Sequence, residues 1–285
     1  MLQFLAFSIL LVLASARPQA ELISYSHAYG NGSQTIKVEP ATVVVNNDVS
    51  FGQAVDFSAA TSLTMLTCLK KANYKTVFVR ALSPSGNGVF DINSVTTIRN
   101  AYSAGLGIEV YMTPQPISSL QGYQQFDLLY NGLVNNGITV RAVWIQVTSP
   151  SNWRNSTVTN ISLINSIIAR AQLRGLTVGI YSNQYDWSQI TGNWVTLSSD
   201  ILLWYWNVYG PGVSGETKPN FTDFRAFGPF KKSSVKQYGQ AESVCQIVVN
   251  RDVYAVGIPA KASSSQEASK FSKNGEIVVG GFVGI

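Results

Sequence analysis

The feature that most constrains this chain is an alternation. From Phe51 to Val256, short β-branched or aromatic runs are separated by stretches of helical spacing. Strands are expected at residues 53–57, 76–81, 107–111, 140–148, 177–181, 201–208, 234–238 and 252–256, where such runs lie between turn residues. Helical patterns fill 59–72, 93–104, 119–135 and 158–174; in the last, Ile161, Ile164, Ile168 and Leu173 keep roughly helical spacing. Gly105, Gly137 and Gly175 stand where a helix should end and hand over to a strand, positions that want left-handed backbone. A β-then-α order implies a parallel sheet, and eight strands in a span of this length suit one closed TIM-like (β/α) barrel better than an open doubly wound sheet. The spacing shortens after Ile201, so the expected α/β fold is a modified barrel whose last three strands are joined mainly by loops.

The flanks read differently. Residues 2–13 form an apolar block followed by Ala14-Ser15-Ala16, a small-x-small cleavage pattern, so residues 1–16 are read as a signal peptide and the protein as secreted, extracellular or in a gut lumen or endolysosomal compartment. Residues 17–50 are irregular, and 257–285 look like an appended tail. Sequons at Asn31, Asn155, Asn160 and Asn220 fit passage through the secretory pathway. Beyond the first segment no apolar run is long enough to span a bilayer, so no membrane partner is expected.

Composition narrows the chemistry. Only 12% of residues are charged and the net charge is +5, with Lys and Arg scattered singly apart from Lys70-Lys71 and Lys231-Lys232; this is mild attraction to anionic surfaces and no nucleic-acid footprint. One histidine and two cysteines do not build a zinc site of the usual kind, so neither a metal nor a cofactor is expected. A Ser-His-Asp triad would have to use His27, outside the patterned region. Cys68 and Cys245 are the only disulfide candidates, with two free buried thiols as the alternative; closing the barrel brings the first helix beside the segment before the last strand, which favours the bond.

In α/β barrels reactive groups stand at the C-terminal ends of strands. Along VWIQVTSPSNW, Trp144, Gln146 and Thr148 share one face and Ile145 and Val147 the other, which suggests that Gln146 and Thr148 lie at the mouth, unless the strand simply frays into a polar loop there. Asp56 ends the first strand and Asp252 lies in the last, its neighbour in a closed barrel; a paired acidic site and two separate surface or capping roles are both open readings. Asp186 follows the fifth strand, as a cap for the next helix or as a mouth residue, and Glu216 sits in a later loop expected on the same face. Tyr111, Trp153, Tyr181, Trp187 and Tyr205 are candidates for stacking on a pyranose ring, joined by Asp186 as a substrate-binding residue; Trp204 and Trp206 share a face that either fills the core or lines a cleft.

Taken in order, AVDFS, FVRAL, GIEVYMTP, VWIQVTSPSNW, GIYSNQYDWSQI, LLWYWNV, VKQYGQ and NRDVYA resemble the glycoside hydrolase family 25 lysozymes, most closely the lysozyme-like proteins of nematodes, over roughly residues 51–256. The resemblance implies an N-acetylmuramidase-type barrel acting on bacterial peptidoglycan in antibacterial defence, and a monomer is expected. It places Asp56 and Asp252 on two of the family's acidic positions. The family usually carries Asp-x-Glu on the fourth strand, with the Glu as general acid; here the positions hold Gln146 and Thr148, neither of which ionises near neutral pH. The resemblance therefore implies either a weakened muramidase or a catalytically inactive binder of peptidoglycan or a related glycan.

Overall fold

A computed structural model describes residues 51–255 and 276–281. In chain order the elements are β1 (Phe51–Phe57), α1 (Leu63–Lys71), β2 (Thr76–Ser83), β3 (Val89–Phe90), α2 (Asn93–Ser103), β4 (Gly107–Met112), α3 (Gly122–Val134), β5 (Ile138–Val140), β6 (Ala142–Gln146), α4 (Thr157–Leu173), β7 (Thr177–Ser182), α5 (Gln184–Thr191), β8 (Leu202–Trp206), β9 (Val235–Val244), β10 (Ile247–Ala255) and β11 (Ile277–Val279). The expected signal peptide, the irregular segment and Asn31 lie outside the described residues.

Eight strands close the barrel in the order β1-β10-β9-β8-β7-β6-β4-β2, with β1 pairing β2 to complete the ring. Every neighbouring pair is parallel except the two made by β10, which runs antiparallel to both β1 and β9. The period-2 alternation of each strand builds two cores. Outward residues such as Val55, Val77, Val110, Ile145, Ile180 and Leu203 pack under the helices. Inward residues Ala54, Phe78, Tyr111, Trp144, Tyr181, Trp204, Val235 and Tyr254 fill the barrel. Trp204 is the hub of the inner set, stacked on Tyr181 at 4.2 Å and tilted against Phe78 at 4.5 Å between ring centroids. A Cβ on Gly179 would lie 2.1 Å from the Trp144 ring, so glycine is what lets the indole pass β7.

Helix boundaries follow local chemistry. Ser62, Ser156 and Asn183 cap α1, α4 and α5 by accepting from the amides of Met65, Thr159 and Asp186. Past the ends of α2, α3 and α4, Gly105, Gly137 and Gly175 adopt φ of 72°, 71° and 74°.

Three expectations are corrected. Residues 140–148 are not one strand: β5 leaves the barrel and β6 starts after exposed Arg141. The tail is not wholly separate, because β11 pairs in parallel with β5, Gly280 N donates to Ile108 O, and Val279 is fully buried. The last two barrel strands are longer than expected and form a hairpin turning at Cys245-Gln246, both at positive φ (52° and 65°). Cys245 is disulfide-bonded to Cys68 of α1, tying the hairpin tip to the outside of the barrel.

Candidate functional site

The register of the closing strands places Asp56 opposite Asn250 and Ala54 opposite Asp252, so both acids face the barrel interior beneath its mouth. Asp56 Oδ1 accepts from Gln237 Nε2 at 2.6 Å and Oδ2 from Asn250 Nδ2 at 2.9 Å. Burial pushes its carboxyl up to about 6, against the opposing pull of these donors. Asp252 Oδ1 accepts from Trp204 Nε1 at 2.9 Å. Burial first, and then the charge of Asp56, hold Asp252 well above the carboxylate range. The same two causes favour the protonated form of Asp252, whose Oδ2 is buried with no hydrogen-bond partner among the described residues. Gln237 links this pair upward, its Oε1 accepting from the Tyr181 hydroxyl at 2.9 Å and from Gln240 Nε2.

Above them, β6 ends at Gln146, whose Oε1 accepts from Thr113 Oγ1 at 2.6 Å and whose Nε2 donates to Thr148 Oγ1 at 3.0 Å. Two adjoining cavities of about 540 and 480 Å³ share Gln146, Thr148 and Ser149 as their common floor. Trp153, Thr113 and Gln115 border the first; Tyr181, Asp186, Trp206 and Asn250 border the second. Volumes in this range hold small ligands. Among the described residues Asp186 is the one carboxyl on this groove. Its Oδ2 accepts from Trp206 Nε1 at 3.0 Å, the Ser149 amide faces it, and burial pushes it up to about 6. Asp56, only 3% exposed under Gln237 and Asn250, does not border either cavity.

The profile of the family described as Lysozyme-like protein 1 matches residues 47–238. Lysozyme-like protein 2 of Caenorhabditis elegans is 64% identical over 98% of both chains. Probable GH family 25 lysozyme 2 of Dictyostelium discoideum is 30% identical, covering 69% of this chain and 88% of that one. The chain belongs to the lysozyme-like proteins of glycoside hydrolase family 25. Its barrel is similar to the bacterial lysozyme from Streptomyces coelicolor (TM-score 0.57, 21% identity, 72% of this chain and 92% of that one). It is also similar to a family GH25 lysozyme from Aspergillus fumigatus (TM-score 0.56, 16% identity, 72% and 94%). At these identities the two structures speak to fold alone.

Within this lysozyme-like barrel the expected sugar-binding aromatics separate into three groups. Trp153 borders the groove, its indole donating to Thr148 O at 2.9 Å. Tyr181 reaches the second cavity, while Tyr111 stays in the interior packing, edge-on to Trp204. Trp187 and Tyr205 are corrections. Trp187 is fully buried between α5 and the following loop, stacked on Trp194 and donating to Trp194 O. Tyr205 points outward from β8, its hydroxyl donating to Asp223 Oδ1 at 2.7 Å. Asp223 also accepts from the buried Lys236 ammonium and from Asn207, so this cluster anchors the loop that brings Pro211 to the groove. Trp204 fills the core and Trp206 lines the groove, which settles that pair.

Two further expectations change. Asp186 does not cap α5; Asn183 does, leaving the Asp186 carboxyl to face the groove. Glu216 lies on the outer side of the β9–β10 hairpin, paired with Arg251 beside Glu242, and does not reach the mouth. Of the described sequons, Asn155 is exposed and Asn220 half-buried, whereas Asn160 is 2% exposed with Nδ2 donating to Arg154 O and Ile190 O. An amide so committed has no room for a glycan in the folded chain. Thr113, Gln237 and Asn250 were not anticipated; the signal available was parity, since Gln237 follows inward Val235, and Asn250 precedes inward Asp252, by two residues.

Proposed function

We propose that this lysozyme-like chain is a secreted monomer that binds bacterial peptidoglycan or a related glycan along the mouth groove, and that its hydrolysis is slow. The observation that carries the reading is the groove floor, where an amide and a hydroxyl, Gln146 and Thr148, stand hydrogen-bonded to each other. Neither donates a proton to a leaving sugar, a contribution worth about 10²–10⁴-fold in rate. Recognition is less affected, because pyranose faces stack on rings such as Trp153 and sugar hydroxyls pair with amides such as Gln146 and Asn250. Membership of a lysozyme-like family supports a role in antibacterial defence as part of this reading. The reading assigns nothing to nucleic acid or membrane, and no described helix is long and apolar enough to cross a bilayer.

Pull-down on insoluble peptidoglycan tests binding. Retention is expected to survive about 0.5 M salt, which screens exposed charge pairs but not stacking, and to fall in Trp153→Ala. Binding that vanishes with salt and ignores Trp153→Ala sinks the groove reading.

A further inference from the structure

The two halves of the groove are bordered by hydroxyls, amides, prolines and rings, and among the described residues Asp186 is the one carboxyl on either half. It enters from α5, on the side of the floor opposite Trp153, and the amide that faces its carboxyl belongs to Ser149, the residue after Thr148. Trp206 from β8 holds Oδ2, which fixes the carboxyl while leaving it on the cavity wall. Asp56 and Asp252 are sealed below by Gln237, Asn250 and Trp204.

We propose that Asp186, entering from α5, is the proton donor for the slow glycan hydrolysis of this chain, in place of a carboxyl on the fourth barrel strand. The assignment rests on the glycan-binding reading above. In the step it performs, the Asp186 carboxylic acid gives its proton to the glycosidic oxygen as the bond from that oxygen to C1 breaks, the bonding pair leaving with the oxygen. Solvent water then adds to C1 and passes a proton to the Asp186 carboxylate, which restores the acid; the sum is one water consumed per bond. Among the described residues no second carboxyl borders the cavity to stabilise the developing cation, which accounts for slow hydrolysis.

The chemistry needs an acid protonated under mildly acidic conditions. Burial supplies that by pushing Asp186 up to about 6, with Trp206 and the Ser149 amide pulling the other way. The other titratable side chain on this cavity is Tyr181, whose hydroxyl burial pushes well above its usual range, and no charged side chain from β6, β8 or the β8–β9 loop borders it among the described residues.

The test measures reducing ends released from purified Gram-positive peptidoglycan between pH 4 and 8, beside pull-down on the same material. Native protein is expected to release ends slowly, with the rate falling as pH rises through about 6. Asp186→Asn is expected to lose at least about 10²-fold while still binding. Trp206→Phe, which removes a donor to the carboxylate, is expected to move the falling limb to higher pH, an effect that a purely structural Asp186 would not produce; it also keeps the question decidable if Asp186→Asn folds poorly. Release by Asp186→Asn at the native rate, an unmoved limb in Trp206→Phe, or no release by native protein above the protein-free control overturns the assignment. Failure of pull-down by native protein instead overturns the binding reading.

Discussion

The indole of Trp204 donates to Asp252 Oδ1 at 2.9 Å from within the barrel packing, so the acid on the last strand is anchored by the core and not by the groove. Its neighbour Asp56 is likewise enclosed by amides. Asp56 and Asp252 therefore form a buried pair whose hydrogen bonds to Asn250, Gln237 and Trp204 tie β1 and β10 to β9 and β8. Their presence in the sequence does not by itself signal activity.

Replacing Trp204 with Phe keeps most of the ring contacts but leaves Asp252 Oδ1 buried without a donor. The unmade bond is expected to lower stability by about 1–3 kcal/mol. Urea denaturation reads it directly; a change within experimental scatter would mean that the indole contributes by packing alone.

Acidification is expected to stabilise the fold. A carboxyl whose folded pKa lies above its unfolded value binds its proton more tightly when folded, so its contribution is complete below the unfolded value and is lost as pH rises through the folded one. For Asp56 that window runs from 3.8 to about 6, a difference worth roughly 3 kcal/mol. Asp186 acts in the same direction over the same window, and Asp252 extends it to higher pH. The urea midpoint should be higher at pH 5 than at pH 7.5; the opposite order would show that these carboxyls are solvated in the folded protein.

How far the sequence carried is visible in particular residues. Strand alternation told inward Trp144 from outward Ile145 and marked the floor positions Gln146 and Thr148, because a closed barrel converts parity into burial. Parity does not tell core from groove, which is why Trp187 and Tyr205 looked like sugar platforms: one is hidden by the loop after α5 and the other by the Asp223 cluster, both products of long-range packing. The β9–β10 hairpin escaped because its left-handed turn is Cys245-Gln246 and not Asn-Gly, with the disulfide to Cys68 fastening the tip. The β5–β11 pairing joins segments far apart in sequence, and nothing local announces it.

That disulfide joins α1 to the hairpin tip across a sequence separation of 177. In the chain-entropy model such a link contributes up to about 5 kcal/mol by restricting the unfolded chain. The pair Cys68→Ala and Cys245→Ala is expected to unfold at lower urea with the native fold retained, and native protein should show no alkylatable thiol before denaturation. Two reactive thiols in native protein would refute the link.

Restoring carboxyls to the floor tests the site as a whole. Thr113 Oγ1 donates to Gln146 Oε1 at 2.6 Å, so Gln146→Asp offers that hydroxyl a carboxylate oxygen in place of an amide oxygen. Thr148 borders both cavities, so Thr148→Glu puts a proton donor on the shared floor beside the Ser149 amide. The double variant is expected to release reducing ends at least about 10²-fold faster than native protein. Recovery stops short of a full family rate, since a misplacement of about 1 Å costs on the order of 10². The variant puts carboxyls at positions 146 and 148 on the floor of the cavity that Asp186 also borders, and neighbouring carboxyls raise one another's pKa, so the rate optimum should widen toward neutral pH. In this background Asp186→Asn should matter little, because the proton now comes from position 148. If the double variant folds and binds glycan yet gains nothing, the reacting bond does not lie over Gln146 and Thr148, and the productive part of the groove must be sought nearer Trp206 and Asn250.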